Sequence, residues 1–87
     1  MSLGAHYRQV LQLSADMLDA AKAEQWDSLI DLEATRSILL QSPPGPEHRE
    51  ALASVADIIK EILATDAQTQ EIVSTWQEHA KILLRIK

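Results

Sequence analysis

Apolar residues recur along this chain at steps of three and four, and no window shows sustained alternation. Tyr7, Val10, Leu11, Ser14, Met17, Leu18 and Ala21 fall on one helical face. Leu52, Val55, Ile59, Ile62 and Leu63 repeat the pattern further on, and Ile72, Val73, Trp76, Ala80, Leu83 and Leu84 repeat it again. Between these stretches, Ser42-Pro43-Pro44-Gly45-Pro46 is a clear break, because consecutive prolines cannot continue a helix. Pro46 suits the first position of a new helix, with Glu47 and Glu50 near its positive end. Thr65-Asp66-Ala67-Gln68 reads as a capping box, in which hydroxyl and amide satisfy free backbone donors reciprocally. From Lys22 to Asp27 there is neither Gly nor Pro, and only a phase change marks a turn. The pattern predicts an all-α fold in one domain over residues 1–87. Its helices fall at about 4–22, 25–41, 46–64 and 66–86, packed up and down as a small antiparallel bundle of four.

The second segment carries more apolar surface than one contact needs. Trp26, Leu29, Ile30, Leu32, Leu39 and Leu40 spread over roughly 180°, wider than the ~100° stripe of an ordinary surface helix. Glu33 and Arg36 lie within that arc, three residues apart, and read as an intrahelical ion pair. Ile58 and Ala51 widen the third segment similarly, and Ile82 with Ile86 form a second stripe near the C-terminus. Such arcs need a cover. Either the chain's own helices flank a central helix, or the surface is a groove or dimer face for another helix. The groove reading places a partner on Leu29, Leu32, Leu39, Leu52, Val55, Ile59 and Ile62. Trp26 and Trp76 read first as packing anchors, and as binding hot spots if partly exposed. Tyr7 is expected to cap the bundle end with its hydroxyl in water.

Composition narrows the chemistry. The 87 residues are 46% apolar and rich in Ala and Leu, with no Cys and no Phe, which argues against an all-β fold and excludes disulfides. The net charge of −5 argues against non-specific binding to nucleic acid or anionic membranes. Lys81, Arg85 and Lys87 suit the negative end of a closing helix. No stretch approaches the ~18 apolar residues of a membrane span, and the first residues lack the form of a secretory signal, so a cytoplasmic protein is expected. His6, His48 and His79 fall in three different segments without a second ligand at metal spacing, and each reads as a solvated helix residue. Asp27 and Asp31 read as first-turn charge. There is no Gly-rich phosphate loop and no Glu-x-x-His pair for a di-iron bundle. No catalytic residue, metal or cofactor is expected, and the chain does not read as an enzyme.

One stretch carries a family resemblance. Leu13 to Ile30, with Met17-Leu18, Ala20-Ala21, Glu24-Gln25-Trp26-Asp27 and Leu29-Ile30, resembles the flagellar export chaperones of the FliT type, as does Glu33 further on. The resemblance covers about residues 7–40. It implies a helical, non-enzymatic protein of the bacterial cytoplasm whose last helix covers the partner-binding surface, so that a displaceable fourth helix, through Ile72, Val73, Trp76 and Leu83, would compete for the groove. Its implied partners are the FliD-type filament cap protein held before type III export, the export ATPase and export gate, and the FlhD–FlhC transcription activator, which it would oppose. The reading from residues alone leaves a second class open: a structural dimerisation module whose apolar arc is a homodimer face, without client binding.

Overall fold

The computed structural model describes residues 3–41 and 52–85, with the backbone alone for Leu52 and residues 83–85. They form three helices, α1 (Leu3–Lys22), α2 (Trp26–Gln41) and α3 (Leu52–Arg85), and no strand occurs among the described residues. The all-α expectation holds, but the four-helix bundle does not: the expected helices at 46–64 and 66–86 are one continuous helix from Leu52 to Arg85. Thr65 Oγ1 donates to the carbonyl of Glu61 at 2.8 Å, and Thr75 does the same to Glu71 at 3.0 Å. A hydroxyl bonded four residues back serves the helix interior, not a cap. Asp66 is engaged by Arg36, and no Gly or Pro interrupts the 34 residues of α3. A separate fourth helix able to swing away as a cover is therefore absent from the described residues. The proline-rich break, Pro46 with Glu47 and Glu50, His48, Ala51, Ile86 and Lys87 lie outside the described residues.

The turn between α1 and α2 is set by backbone geometry alone. The Gln25 N–H donates to Ala20 O at 2.9 Å and the Glu24 N–H to Ala21 O at 3.1 Å, closing the helix with the paired bonds of a Schellman cap. That cap requires a left-handed residue, and Glu24 supplies it at φ 56° without being glycine. The Leu29 N–H then donates to Gln25 O at 3.0 Å, which starts α2 one residue later than expected.

α1 is the centre of the assembly, packed against both α2 and α3. It supplies most of the buried apolar side chains, Val10, Met17, Leu18, Ala20 and Ala21, while Leu29 comes from α2 and Val55 and Ile62 from α3. Gly4, Ser14, Ala20 and Ala21 are buried on α1, and small side chains of this kind let one helix be approached closely from two sides. α2 lies at the periphery: Leu29 is its buried residue, whereas Ile30, Ile38 and Leu40 stay exposed. The wide apolar arc of α2 is therefore not the mark of a central helix. α3 outlasts α1 by fourteen residues, roughly 21 Å at 1.5 Å per residue, and the molecule is drawn out to 59 × 21 × 18 Å.

A candidate partner-binding cleft between two helices

Among the described residues an ion pair and an aromatic pair tie α2 to α3. Near the middle of the molecule, Arg36 Nη1 donates to Asp66 Oδ1 at 2.6 Å and to Ser14 Oγ at 2.9 Å, joining all three helices at one guanidinium. Ser14 is fully buried, while the Arg36 and Asp66 side chains keep 17% and 33% of their surface in solvent. Arg36 is therefore not the partner of Glu33 that sequence spacing suggests. Its fork reaches across to the charge on α3, because the i+3 pair on one helix competes with a partner held in the interhelical seam. The second contact is the Trp26–Trp76 pair, with ring centroids 5.1 Å apart and planes at 49°. The two contacts are ten residues apart on each helix, so α2 and α3 run antiparallel in matched register across roughly 15 Å.

Along this stretch the helices stand apart and enclose a cleft of about 740 Å³. Met17 and Leu29, both buried, form its floor; Ile30 on α2 and Leu63 on α3 line it while 61% and 63% exposed. Val73 and Trp76 line the α3 side, and Trp76 keeps 44% of its surface exposed. Glu33, Arg36 and Asp66 are the charged groups on the lining, with Gln70 and Gln77 among the polar ones. A second, smaller hollow lies on the other side of the tryptophans, between the α1–α2 turn and the Ile72–His79 stretch of α3. An apolar trough with a satisfied polar clamp at one end and half-open aromatics at the other is suited to receive a row of side chains. Among the described residues no three His, Asp or Glu side chains are grouped to hold a metal ion.

The residues proposed from sequence distribute unevenly over this geometry. Leu29 lines the cleft. Leu32 packs on the core cluster of Met17, Ala20, Ala21 and Leu29, as do Ile72 and Val73. Val55 and Ile62 are buried, and Leu39 and Ile59 are half-buried. Val73 and Trp76, assigned to a cover, stand in the wall of the cleft itself. The side chains of Leu52 and Leu83 lie outside the described set. Sequence reasoning passed over Ile30, Leu63 and Met17 as lining. Only their exposure or their place under the seam picks them out, and neither is written in a period.

The histidines also differ from expectation. His79 is exposed, but His6 is buried at 3% exposure, its ring edge-on to Tyr7 at 5.2 Å and its Nε2 without a hydrogen-bond partner. It lies one turn before the buried Val10 on the same face of α1 and so turns inward, where the imidazole serves as a flat packing group. Lys81, expected to face the helix end, pairs with Glu78 at 3.3 Å.

Compared with known proteins, the chain matches the model of a family described as flagellar protein FliT over residues 5–85. It is also similar to a flagellar protein FliT of Photorhabdus laumondii, 49% identical over 35 residues, which make up 40% of this chain and 28% of that protein. The matched part thus spans little more than a quarter of that relative's length. No solved structure matches. Among the described residues no helix is long and apolar enough to cross a membrane.

Proposed function

Because this chain belongs to the FliT family of flagellar proteins, we propose that it is a non-enzymatic, cytoplasmic chaperone of flagellar export. Its client in this reading is the FliD-type filament cap protein, whose assembly segment it holds before delivery to the export ATPase and gate. Binding to the FlhD–FlhC activator, and opposition to it, belongs to the same proposal. The observation that carries the reading is the α2–α3 cleft, which leaves Ile30, Leu63 and Trp76 in water. Large apolar side chains at a concave site lose that exposure when an amphipathic helix seats its anchor positions there. Anchors at i, i+3, i+4 and i+7 span roughly 10.5 Å of helix, which fits between the ion pair and the tryptophans.

Titration with the C-terminal segment of a FliD-type protein, followed by Trp26 and Trp76 fluorescence, tests this directly. Ile30→Ser with Leu63→Ser alters only exposed side chains, so the variant is expected to stay folded and to bind at least ~10-fold more weakly. Unchanged affinity would remove the cleft from the mechanism. A second reading, a dimerisation module, is favoured by Ile38 and Ile82, which are 69% and 52% exposed and do not line the cleft. Light scattering of the free protein beside the titration separates the two: a dimer with no affinity for the cap segment supports the module.

A further inference from the structure

Glu33 stands in the wall of an otherwise largely apolar cleft, exposed, and with no hydrogen-bond or ion-pair partner among the described residues. The cation nearest to it in sequence, Arg36, is committed to Ser14 and Asp66. The imbalance extends beyond one residue. α2 carries three acids against Arg36 and α3 five acids against three bases, whereas α1, which supplies the floor, has two of each. Within the cleft itself the lining carries Glu33 and Asp66 against Arg36, and with Arg36 and Asp66 paired the uncompensated charge is that of Glu33. A second copy seated cleft to cleft would set its own Glu33 against this one, and like charges facing each other across an apolar seam oppose association. A helix with cationic flanks meets the opposite situation: its apolar face covers Ile30 and Leu63 while its ammonium or guanidinium groups reach the rim.

We propose that the cleft selects an amphipathic partner helix whose apolar face is flanked by Lys or Arg, with one cation placed to pair with Glu33; this rests on reading the cleft as the client groove. The Arg36–Asp66 pair keeps its own charges satisfied and leaves Glu33 as the group that reads the partner's sign. The apolar lining supplies affinity, and Glu33 supplies discrimination and a faster encounter.

The experiment uses two synthetic helical peptides with the same leucine row at i, i+3, i+4 and i+7, one flanked by lysines and one by glutamates. Each is titrated into the intact chain by calorimetry and tryptophan fluorescence. The lysine peptide is expected to bind about tenfold more tightly at low salt, with the gap closing as salt shortens the Debye length toward roughly 3 Å at 1 M. Glu33→Lys should erase or invert the preference. Asp57→Lys makes the same charge change on α3, at an exposed position outside the cleft lining, and should keep it. Circular dichroism confirms that both variants remain helical. Equal binding of the two peptides with a tryptophan response overturns the charge selection and leaves the apolar groove standing. Loss of preference in Asp57→Lys to the same extent overturns the role of Glu33 in favour of net charge. Binding of neither peptide overturns the groove reading itself.

Discussion

Three residues are placed against their ordinary preferences, and each carries a measurable consequence. Glu24 holds a left-handed conformation that costs a residue with a Cβ roughly 1–2 kcal/mol and costs glycine little. Glu24→Gly should therefore raise the urea midpoint, by a net of about 0.5–1 kcal/mol once the greater freedom of glycine in the unfolded chain is subtracted. His6 buries an unpaired Nε2, so His6→Leu, which keeps an apolar body there, is expected to leave stability unchanged or raise it by about 1 kcal/mol in thermal unfolding. Arg36 binds two partners at once. Removing Asp66 alone leaves a half-sequestered guanidinium, and Asp66→Ala should cost about 1–3 kcal/mol. The paired change Arg36→Met with Asp66→Leu should cost less than the two single changes together, as a double-mutant cycle in urea would reveal. None of these placements is legible in sequence. Glu24 lies in a stretch without Gly, Asn or Pro, and Arg36 has a ready-made partner at Glu33 that the fold passes over.

At the scale of elements, α1 and α2 follow their periods to within a residue of expectation, because the amphipathic face of α1 is strong and the turn at Ala23 to Gln25 is short. α3 does not stop where a capping box is spelled out. Thr-x-x-Gln is a local offer of hydrogen bonds, and it is outbid by helix propagation when no breaker follows and when the intervening Asp66 already has a cation across the seam. This has a discriminating test. A capping Thr65 would make Thr65→Ala cost about 1 kcal/mol. In a continuous helix, alanine is the better helix former, and the substitution should be neutral or stabilising by a few tenths of a kcal/mol in denaturant unfolding. The continuity also matters for binding: Val55, Ile62, Val73 and Trp76 ride on one rigid rod, so any opening of the cleft moves α2 or bends α3 and does not detach a fourth helix.

For the whole molecule, the Cα radius of gyration of 15.9 Å stands well above the roughly 12 Å expected of a compact chain of this length. A long α3 beside a shorter hairpin makes a rod with a thin core, of which α1 supplies the larger part. Chains this small bury a limited share of their surface, and their stability is correspondingly small. A partner that binds only the folded form adds directly to it. At a free concentration about 100 times its Kd, the lysine-flanked peptide should stabilise the protein by about 2.7 kcal/mol. A rise in the thermal midpoint that scales with peptide concentration would verify the linkage. Absence of any shift at saturation by calorimetry would contradict it.

The helical class, the amphipathic faces and the excess of apolar surface on α2 are all fixed by local order along the chain. Periodicity and composition act over a few residues, so a single sequence carries them in full. Which helix is central, whether Thr65 caps or propagates, which acid Arg36 chooses and which of many leucines and isoleucines remain in water are settled by competition between distant groups. α1 takes the centre because its buried positions are small enough to be approached twice. The cleft exists because α2 and α3 each pack on α1 and meet one another through a guanidinium and two indoles. That spacing is a property of three helices together, and no one of them specifies it.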